Sequence, residues 1–385
     1  MSLDFLLPLK NEVLETIAVY PEHSLAHKVQ IHSEESGLPS LENVSLAILG
    51  VEEGRGAVNN DTTGYGLDSV REYFYKLYPG NWSANIVDLG NVSGGNEITD
   101  TYFVLKEVVA SLVKKNIIPI IVGGGQDLTY ANYRAYDSLE QLVNLVSVDS
   151  KFDLGSMEDF LNSNSYLSKI VMEEPANLFN FSNIGYQTFF NSQEEIDLLQ
   201  SLSFDTYRLG EAKNLEIVEP IMRDADIVSI DIGCVRKSEA PGNENATPNG
   251  FYGDDICAIS RYAGISDKVT SFGIYEFNNR FDDHGHTAHL IAQMIWYFIE
   301  GYSFRAKDYP FCTKENYIKY IVPQNDEEMK FYKSHKSGRW WLEIHTLTDN
   351  KYKRHALIPC TYQDYLDAID QIVPERWYKA LRKLG

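Results

Sequence analysis

Short apolar segments alternate with longer amphipathic segments through most of the chain between residues 44 and 301. The apolar segments are rich in Val, Ile and Leu, which is typical of strands that are buried on both faces. Six segments are strong strand candidates: VSLAILGV (44–51), ANIVDLG (84–90), NIIPIIVGG (116–124), QLVNLVSVD (141–149), ADIVSIDIG (225–233) and KVTSFGIYEF (268–277). Two weaker candidates are ANLFNFSNIG (176–185) and SFDTYRL (203–209).

The segments between these strands carry apolar residues at helical spacing. The clearest are LDSVREYFYKLY (67–78), EITDTYFVLKEVVASLVKK (97–115), SQEEIDLLQSL (192–202) and TAHLIAQMIWYFIEG (287–301). This alternation predicts a three-layer α/β/α fold, in which helices cover both faces of a mostly parallel sheet. Ligands of such sheets bind outside the carboxyl ends of the strands, so the residues after each strand are the first candidates for a site.

The pattern changes at both ends of the chain. Residues 1–40 are predicted to form a helical or irregular N-terminal extension, and residues 41–305 to form the α/β domain. Residues 306–385 are rich in Tyr and Trp, as in SGRWWLEIHTL (337–347). We interpret them as a C-terminal extension that packs on the same domain and is not a separate catalytic unit.

The composition of the chain argues against two classes of binding partner. The formal net charge is −21 and no segment is rich in Lys or Arg, which argues against binding of nucleic acid or of an anionic membrane. No apolar run approaches the roughly 20 residues that span a bilayer, and the N-terminus lacks the pattern of a secretory signal. The four cysteines have no CxxC spacing and are interpreted as reduced thiols. We therefore expect a cytoplasmic protein.

Polar residues after the third, fourth, fifth and sixth strong strands carry the chemical signal. Carboxylates spaced two and four apart after a strand are typical metal ligands, whereas a lysine between them repels a metal ion. The residues concerned are Gln126 in GGGQD, Asp149, Lys151 and Asp153 in DSKFD, Asp231 and Gly233 in SIDIG, and Glu276 in YEFNN.

These motifs together resemble those of the ureohydrolase superfamily, which contains arginase, agmatinase and formimidoylglutamase. Their order is GGGxx, DxxxD, SxDxx with a following PG, as in SIDIGCVRKSEAPG (229–242), and ExN before a helix that opens with Thr-Ala. The resemblance covers roughly residues 45 to 300, and GGG together with NIGYQ (183–187) is most similar to the formimidoylglutamase branch. It implies an arginase-like fold, two bridged Mn²⁺ ions, hydrolysis of a guanidino or formimino carbon, and a homo-oligomer.

The resemblance also implies six metal-ligand positions. This sequence keeps three remnant ligands, Asp149, Asp153 and Asp231. Gln126 and Lys151 stand where histidines are expected, and Gly233 stands where the last aspartate is expected. Half of the implied ligands are therefore replaced.

Two other features offer alternatives for a site. None of the nine histidines lies between residues 33 and 283, so the only substitute ligands are His284, His286 and His289 in DDHGHTAH. That segment is also typical of a polar loop followed by a helix start, which we favour. The glycine triplet 123–125 could cradle a phosphate, but no GK[ST] follows it and Asp127 would repel the phosphate.

Lys151 decides how much metal the site can hold. Three aspartates and one lysine leave too little negative charge for two divalent ions, so we expect at most one divalent cation per chain. In the favoured interpretation the site is free of metal, and Lys151 is a cation that replaces the metal-ligand histidine. In the alternative, the three aspartates hold a single Mn²⁺ or Mg²⁺, with the Gln126 amide oxygen as a weak ligand.

Glu276 resembles the family's substrate-clamping carboxylate, and a carboxylate suits a small cationic amidine or guanidino ligand. The favoured function is that of an arginase-family protein with a degenerate dinuclear manganese site, catalytically impaired or repurposed for binding. The alternative is a hydrolase that cleaves the C–N bond of a linear amidine, such as N-formimino-glutamate, with one metal ion or none.

Overall fold

A computed structural model of the chain describes residues 2–139, 141–155, 160–310, 315–324, 327–344 and 357–384. The strands of the first sheet are β1 Leu6–Leu7, β2 Gln30–Ile31, β3 Leu46–Glu52, β4 Ile86–Ser93, β5 Ile118–Val122, β6 Val143–Val148, β7 Leu178–Tyr186, β8 Asp205–Arg208, β9 Ile227–Asp231 and β10 Ser271–Tyr275. Those of the second sheet are β11 Tyr317–Gln324, β12 Glu327–Ser334, β13 Trp340–Glu343 and β14 Leu357–Cys360.

The α-helices of the described residues occupy most of the chain between these strands. They are α1 Asn11–Ala18, α2 Leu67–Lys76, α3 Ile98–Lys114, α4 Leu128–Arg134, α5 Tyr166–Met172, α6 Gln193–Ser201, α7 Leu209–Ala212, α8 Leu215–Asp224, α9 Gly253–Ile265, α10 His286–Ser303, α11 Tyr362–Ile369 and α12 Glu375–Leu384. Each of the four helical segments predicted above lies over one of these helices, and α6 begins with a capping box between Ser192 and Glu195.

The first sheet runs in the order β1-β4-β3-β5-β10-β9-β6-β7-β8, with β2 also paired to β4. All of its pairings are parallel except that of β1 with β4. All eight predicted strands are present as β3 to β10. β5 and β6 follow one another in sequence, but β10 and β9 lie between them in the sheet. The carboxyl ends of these four strands therefore meet at the centre of one edge.

Successive residues of a strand face opposite sides of the sheet, and the packing follows this alternation. In β3, Ile48 packs into an apolar cluster with α2, α9 and α10, whereas Leu49 packs into a second cluster with α3 and α4. Helices therefore cover both faces, and the predicted three-layer α/β/α fold with a mostly parallel sheet is confirmed.

The N-terminal segment contributes to the first sheet, because β1 and β2 both pair with β4. A helical or irregular extension was expected there. The C-terminal segment forms the antiparallel order β11-β12-β13-β14, whose apolar residues pack with α11 and α12. Arg223 joins it to α8, because its guanidinium donates to the carbonyl oxygens of Trp340 (2.8 Å) and Cys360 (3.1 Å).

The domain boundaries stay a prediction, and residues 345–347 of SGRWWLEIHTL lie outside the described residues. Cys234, Cys257 and Cys360 are free and buried, and Cys312 lies outside the described residues. In the part of the chain that the structure describes, no helix is both long and apolar enough to cross a bilayer.

Candidate functional site

The predicted site residues meet at the central carboxyl edge of the first sheet. Strand register aligns the last residues of the four strands: Ile274 lies beside Val122, Tyr275 beside Asp231, and Val148 beside Ile230. Asp231 is the last residue of β9. The other predicted site residues follow the ends of β5, β6 and β10, and they are Gln126, Asp149, Lys151, Asp153 and Glu276. We call Asp149, Lys151, Asp153, Asp231 and Glu276 the strand-end cluster.

Glu276 is held from two sides. It is 2% exposed and has a positive φ of 67°, a conformation that is rare for a residue other than glycine, Asn or Asp. Its Oε1 accepts the backbone N–H of Gln126 (2.9 Å), and its Oε2 accepts the side-chain amide of Asn60 (2.8 Å). Asn60 in turn accepts from the amide of Asn278 (2.8 Å). Asn60 lies 216 residues away in the loop after β3, and sequence reasoning missed it.

Asp149 and Asp153 lie against one another below the surface. Asp149 Oδ1 accepts the backbone N–H of Lys151 at 2.9 Å, and the two carboxyl groups lie close enough for the charge of Asp149 to raise the pKa of Asp153. The Oδ2 atoms of both aspartates are buried and have no hydrogen-bond partner among the described protein donors. Such atoms indicate a place for a cation or a proton.

The loop that carries Lys151 is fixed through its backbone. The Lys151 carbonyl accepts from Asn183 (2.8 Å), and Asn191 accepts the Phe152 N–H (2.8 Å) while donating to the Ser150 carbonyl (3.0 Å). The Lys151 side chain is half-buried, and its ammonium forms no ion pair with a described residue.

Burial raises the pKa of all four carboxyl groups of the cluster. The charge of Asp149 raises the pKa of Asp153 and of Asp231 further, so both lie well above the ordinary range. The pKa of Glu276 is raised to about 7. The charge of Lys151 opposes these shifts at all four groups, which places its ammonium within electrostatic reach of the whole cluster.

Gln126 and Gly233 stand at two of the metal-ligand positions that the family resemblance implies. Gln126 is 1% exposed, and its amide nitrogen contacts the hydroxyls of Ser147 (3.3 Å), Tyr166 (3.3 Å) and Ser229 (3.4 Å). Its side chain also lies close enough to Asp149 to lower the pKa of that carboxyl. The amide therefore acts as a donor within the protein, and its predicted role as a weak metal ligand stays a prediction.

Gly233 lies next to the Asp231 carboxyl group. Its N–H donates to Asp231 Oδ1 at 2.7 Å, and the Asn243 amide lies 3.4 Å from the same oxygen. A Cβ at position 233 would lie 3.0 Å from Asn243 Nδ2 and 3.1 Å from Asp231 Oδ1. An aspartate could enter this position only if Asn243 moved by a few tenths of an ångström.

Of the two alternative sites, the histidine segment is not brought together with the cluster, whereas Gly124 of the glycine triplet accepts the Glu276 N–H at 2.7 Å. His284, His286 and His289 are all exposed. Asp282 accepts two backbone N–H groups in the first turn of α10, so this segment is a polar loop followed by a helix start. Gly124 is packed so closely that a Cβ would lie 1.5 Å from the Glu53 carbonyl oxygen, which accounts for glycine there without a phosphate. Among the described residues no three His, Cys, Asp or Glu side chains are arranged to hold a metal ion.

Comparison with known proteins identifies the family. The model of the arginase family matches residues 44–300. Formimidoylglutamase of Streptococcus gordonii is 26% identical over 288 residues, which cover 69% of this chain and 87% of the relative. A crystal structure of Trypanosoma cruzi formiminoglutamase with Mn²⁺ superposes with a TM-score of 0.63 at 17% identity, covering 70% of this chain and 97% of the other. An agmatine ureohydrolase structure of Thermoplasma volcanium superposes with a TM-score of 0.61 at 20% identity, covering 74% of this chain and 96% of the other. The chain belongs to the arginase family.

Proposed function

We propose that the strand-end cluster binds a small organic cation of the amidine or guanidinium type, and that the protein does not perform hydrolysis with two bridged manganese ions. The observation that carries the proposal is the balance of charge in the cluster. Four buried carboxyl groups face a single ammonium; burial raises the pKa of all four, and the charge of Asp149 raises the pKa of the other three further. A planar cation that donates several hydrogen bonds would relieve this repulsion.

The residues at the six implied ligand positions do not fit a pair of Mn²⁺ ions. Manganese in such a site takes imidazole and carboxylate ligands, and here no imidazole is present at those positions. The Lys151 ammonium would repel a divalent ion at contact distance. A proton on one of the two groups would account for the unpartnered oxygens of Asp149 and Asp153, and the raised pKa of Asp153 favours that proton.

Glu276 is the residue expected to contact the cation. Its carboxylate is positioned by Gln126 and Asn60, and each of its oxygens can accept one more hydrogen bond. The bound cation would also favour the charged form of Glu276, whose pKa is raised to about 7 in the free protein.

Calorimetric titration with n-butylguanidine tests this function. The native protein should bind the probe, and Glu276→Gln should weaken binding about tenfold because a charged acceptor becomes neutral. Glu15→Gln, at an exposed position of α1, is the matched control and should bind as the native protein does. Absence of binding, or equal binding by native protein and Glu276→Gln, would refute the proposal.

Hydrolysis of a linear amidine is the second candidate, and the formimidoylglutamase relatives favour it. The measurement is release of formamide from N-formimino-L-glutamate, with release of urea from guanidino compounds measured in parallel. We expect no turnover above that of Glu276→Gln. Turnover that Glu276→Gln abolishes would establish the hydrolase instead.

A further inference from the structure

A separate cavity lies at the amino ends of β6 to β9, at the edge of the first sheet opposite the strand-end cluster. Its volume is about 560 Å³, within the range of small-molecule sites. Asn144 of β6 and Asn180 of β7 line it near the start of their strands. Because a strand rises about 3.3 Å per residue, Asn144 and Asp149 are separated by roughly 16 Å along the direction of β6. The cavity is therefore distinct from the strand-end cluster.

The C-terminal segment forms one wall of this cavity. Its lining residues include Tyr309, Leu357, Ile358, Pro359, Lys379 and Lys383. All of them lie beyond residue 300, where the match to the arginase family ends. The facing wall is one side of β6, β7 and β8, on which strand register places Val146, Ser182 and Asp205 next to one another. The cavity is therefore formed between the family's fold and a segment that the family match does not cover.

The charged side chains of the cavity are already paired within the protein. Its lining residues include four aspartates and four cations. Asp205 binds Lys379 (3.4 Å) and Lys383 (3.2 Å), and Lys268 binds Asp224 (3.1 Å). The other two aspartates and the arginine also form bonds within the protein. A charged ligand would have to break one of these pairs, so the cavity is suited to an uncharged ligand.

Two hydroxyl groups of the cavity have hydrogen-bonding capacity that the described residues do not use. Ser182 is 3% exposed, and its oxygen accepts from the Asn180 amide at 3.2 Å, but its O–H donates to no described residue. The Tyr207 hydroxyl forms no hydrogen bond with a described residue, although the Lys379 ammonium lies over its ring at 5.9 Å. Polar groups inside a protein normally have partners, so these two hydroxyls indicate the place of a polar group on a ligand.

We infer that this cavity binds an uncharged aromatic alcohol of the phenol type. Apolar side chains such as Ile221 of α8 and Leu357 of β14 line the cavity and suit the aromatic ring. A phenol hydroxyl accepts one hydrogen bond and donates another, which matches the free O–H of Ser182 and the Tyr207 hydroxyl. The inference goes beyond the proposed function and does not depend on it, since no residue of the strand-end cluster lines this cavity.

Calorimetric titration of the whole chain with 2-naphthol tests the inference. At pH 7 this probe is uncharged, and 2-naphthoate is its anionic counterpart with the same rings. The native protein should bind 2-naphthol about tenfold or more tightly than 2-naphthoate, because entry of the carboxylate would break an existing ion pair. Ser182→Ala and Tyr207→Phe each remove one of the two hydroxyls and should weaken binding of 2-naphthol about fivefold.

Tyr378→Phe is the matched control for Tyr207→Phe. Tyr378 of α12 is 50% exposed and is not among the described lining residues, so its substitution should leave binding unchanged. Excess n-butylguanidine should not displace 2-naphthol, since the two sites lie at opposite edges of the sheet. The inference is overturned if the native protein does not bind 2-naphthol, if it binds 2-naphthoate equally well, or if n-butylguanidine displaces the probe. Unchanged binding in both Ser182→Ala and Tyr207→Phe would also overturn it.

Discussion

Two groups of buried charges in this protein use the same residue types in opposite ways. In the strand-end cluster, four carboxyl groups lie close together and none forms an ion pair with Lys151. In a second group, which we call the junction cluster, Asp205 of β8 binds Lys379 (3.4 Å) and Lys383 (3.2 Å) of α12. Asn180 of β7 completes it by donating to Asp205 and accepting from Lys383.

The pKa values record the difference. Burial alone would raise the pKa of Asp205, but the charges of Lys383 and Lys379 outweigh it and the pKa is lowered. In the strand-end cluster burial and repulsion outweigh the single lysine, and the pKa of each carboxyl rises. A satisfied ion pair of the first kind joins two parts of a fold, whereas unsatisfied acids of the second kind mark a site for a ligand.

The largest effect is expected at the junction cluster. Asp205→Ala removes the shared partner of Lys379 and Lys383. Lys379 keeps its ion pair with Glu375 (3.1 Å), whereas Lys383 is left without a carboxylate in a largely buried position. Urea unfolding should show a loss of about 3 kcal/mol in the free energy of unfolding. Asp205→Asn, which can still bond to Asn180, is the control and should lose less. If Asp205→Ala unfolds at the same urea concentration as the native protein, the junction cluster does not hold α12 to the sheet.

The pH dependence of stability should separate the two clusters next. Because the pKa of Glu276 is raised from 4.5 to about 7, the folded protein holds a proton that the unfolded chain has lost in this interval. Stability therefore falls as the pH rises from about 5 to 7.5, and Glu276→Gln should remove about 1 to 3 kcal/mol of that fall. Asp205→Asn should not alter the fall, since a lowered pKa acts only at more acidic pH. An unchanged fall in Glu276→Gln contradicts the assignment.

The smallest effect is expected from Asp153→Asn. An amide keeps a donor toward Asp149, tolerates the positive φ of 57°, and removes a desolvated charge. The free energy of unfolding at pH 7.5 should rise by about 1 kcal/mol, and the gain should shrink as the pH falls toward the ordinary pKa of an aspartate, because the pKa of Asp153 is raised in the folded protein. The same substitution at Asp205 should destabilise. Loss of stability from both substitutions would show that the two clusters do not differ as described.

Most of the fold could be predicted because the central strands are apolar on both faces. This apolar pattern lies within each strand segment and can be recognised without knowing which residues pack against it. It therefore predicted β3 to β10. β1 and β2 have only two residues each, which is too short for a period of apolar residues in the sequence, so their pairing with β4 could not be predicted. The C-terminal sheet was missed because strands such as β11 are mostly exposed or half-buried, with only Val322 buried, and so show no clear apolar period.

The site could be predicted only in part. The strand-end positions followed from the motifs, because parallel strands bring their carboxyl ends to one edge. Asn60 and Asn243, which hold Glu276 and Asp231, come from loops with no periodic pattern.

The number of manganese ions per chain tests the central claim most directly. The native protein and the variant Gln126→His/Lys151→His/Gly233→Asp are saturated with Mn²⁺, freed of excess metal by gel filtration, and analysed by mass spectrometry of the metal. Because Lys151 opposes a second divalent ion, the native protein should retain at most one ion per chain, and the variant should retain more. Two manganese ions per native chain would contradict the account.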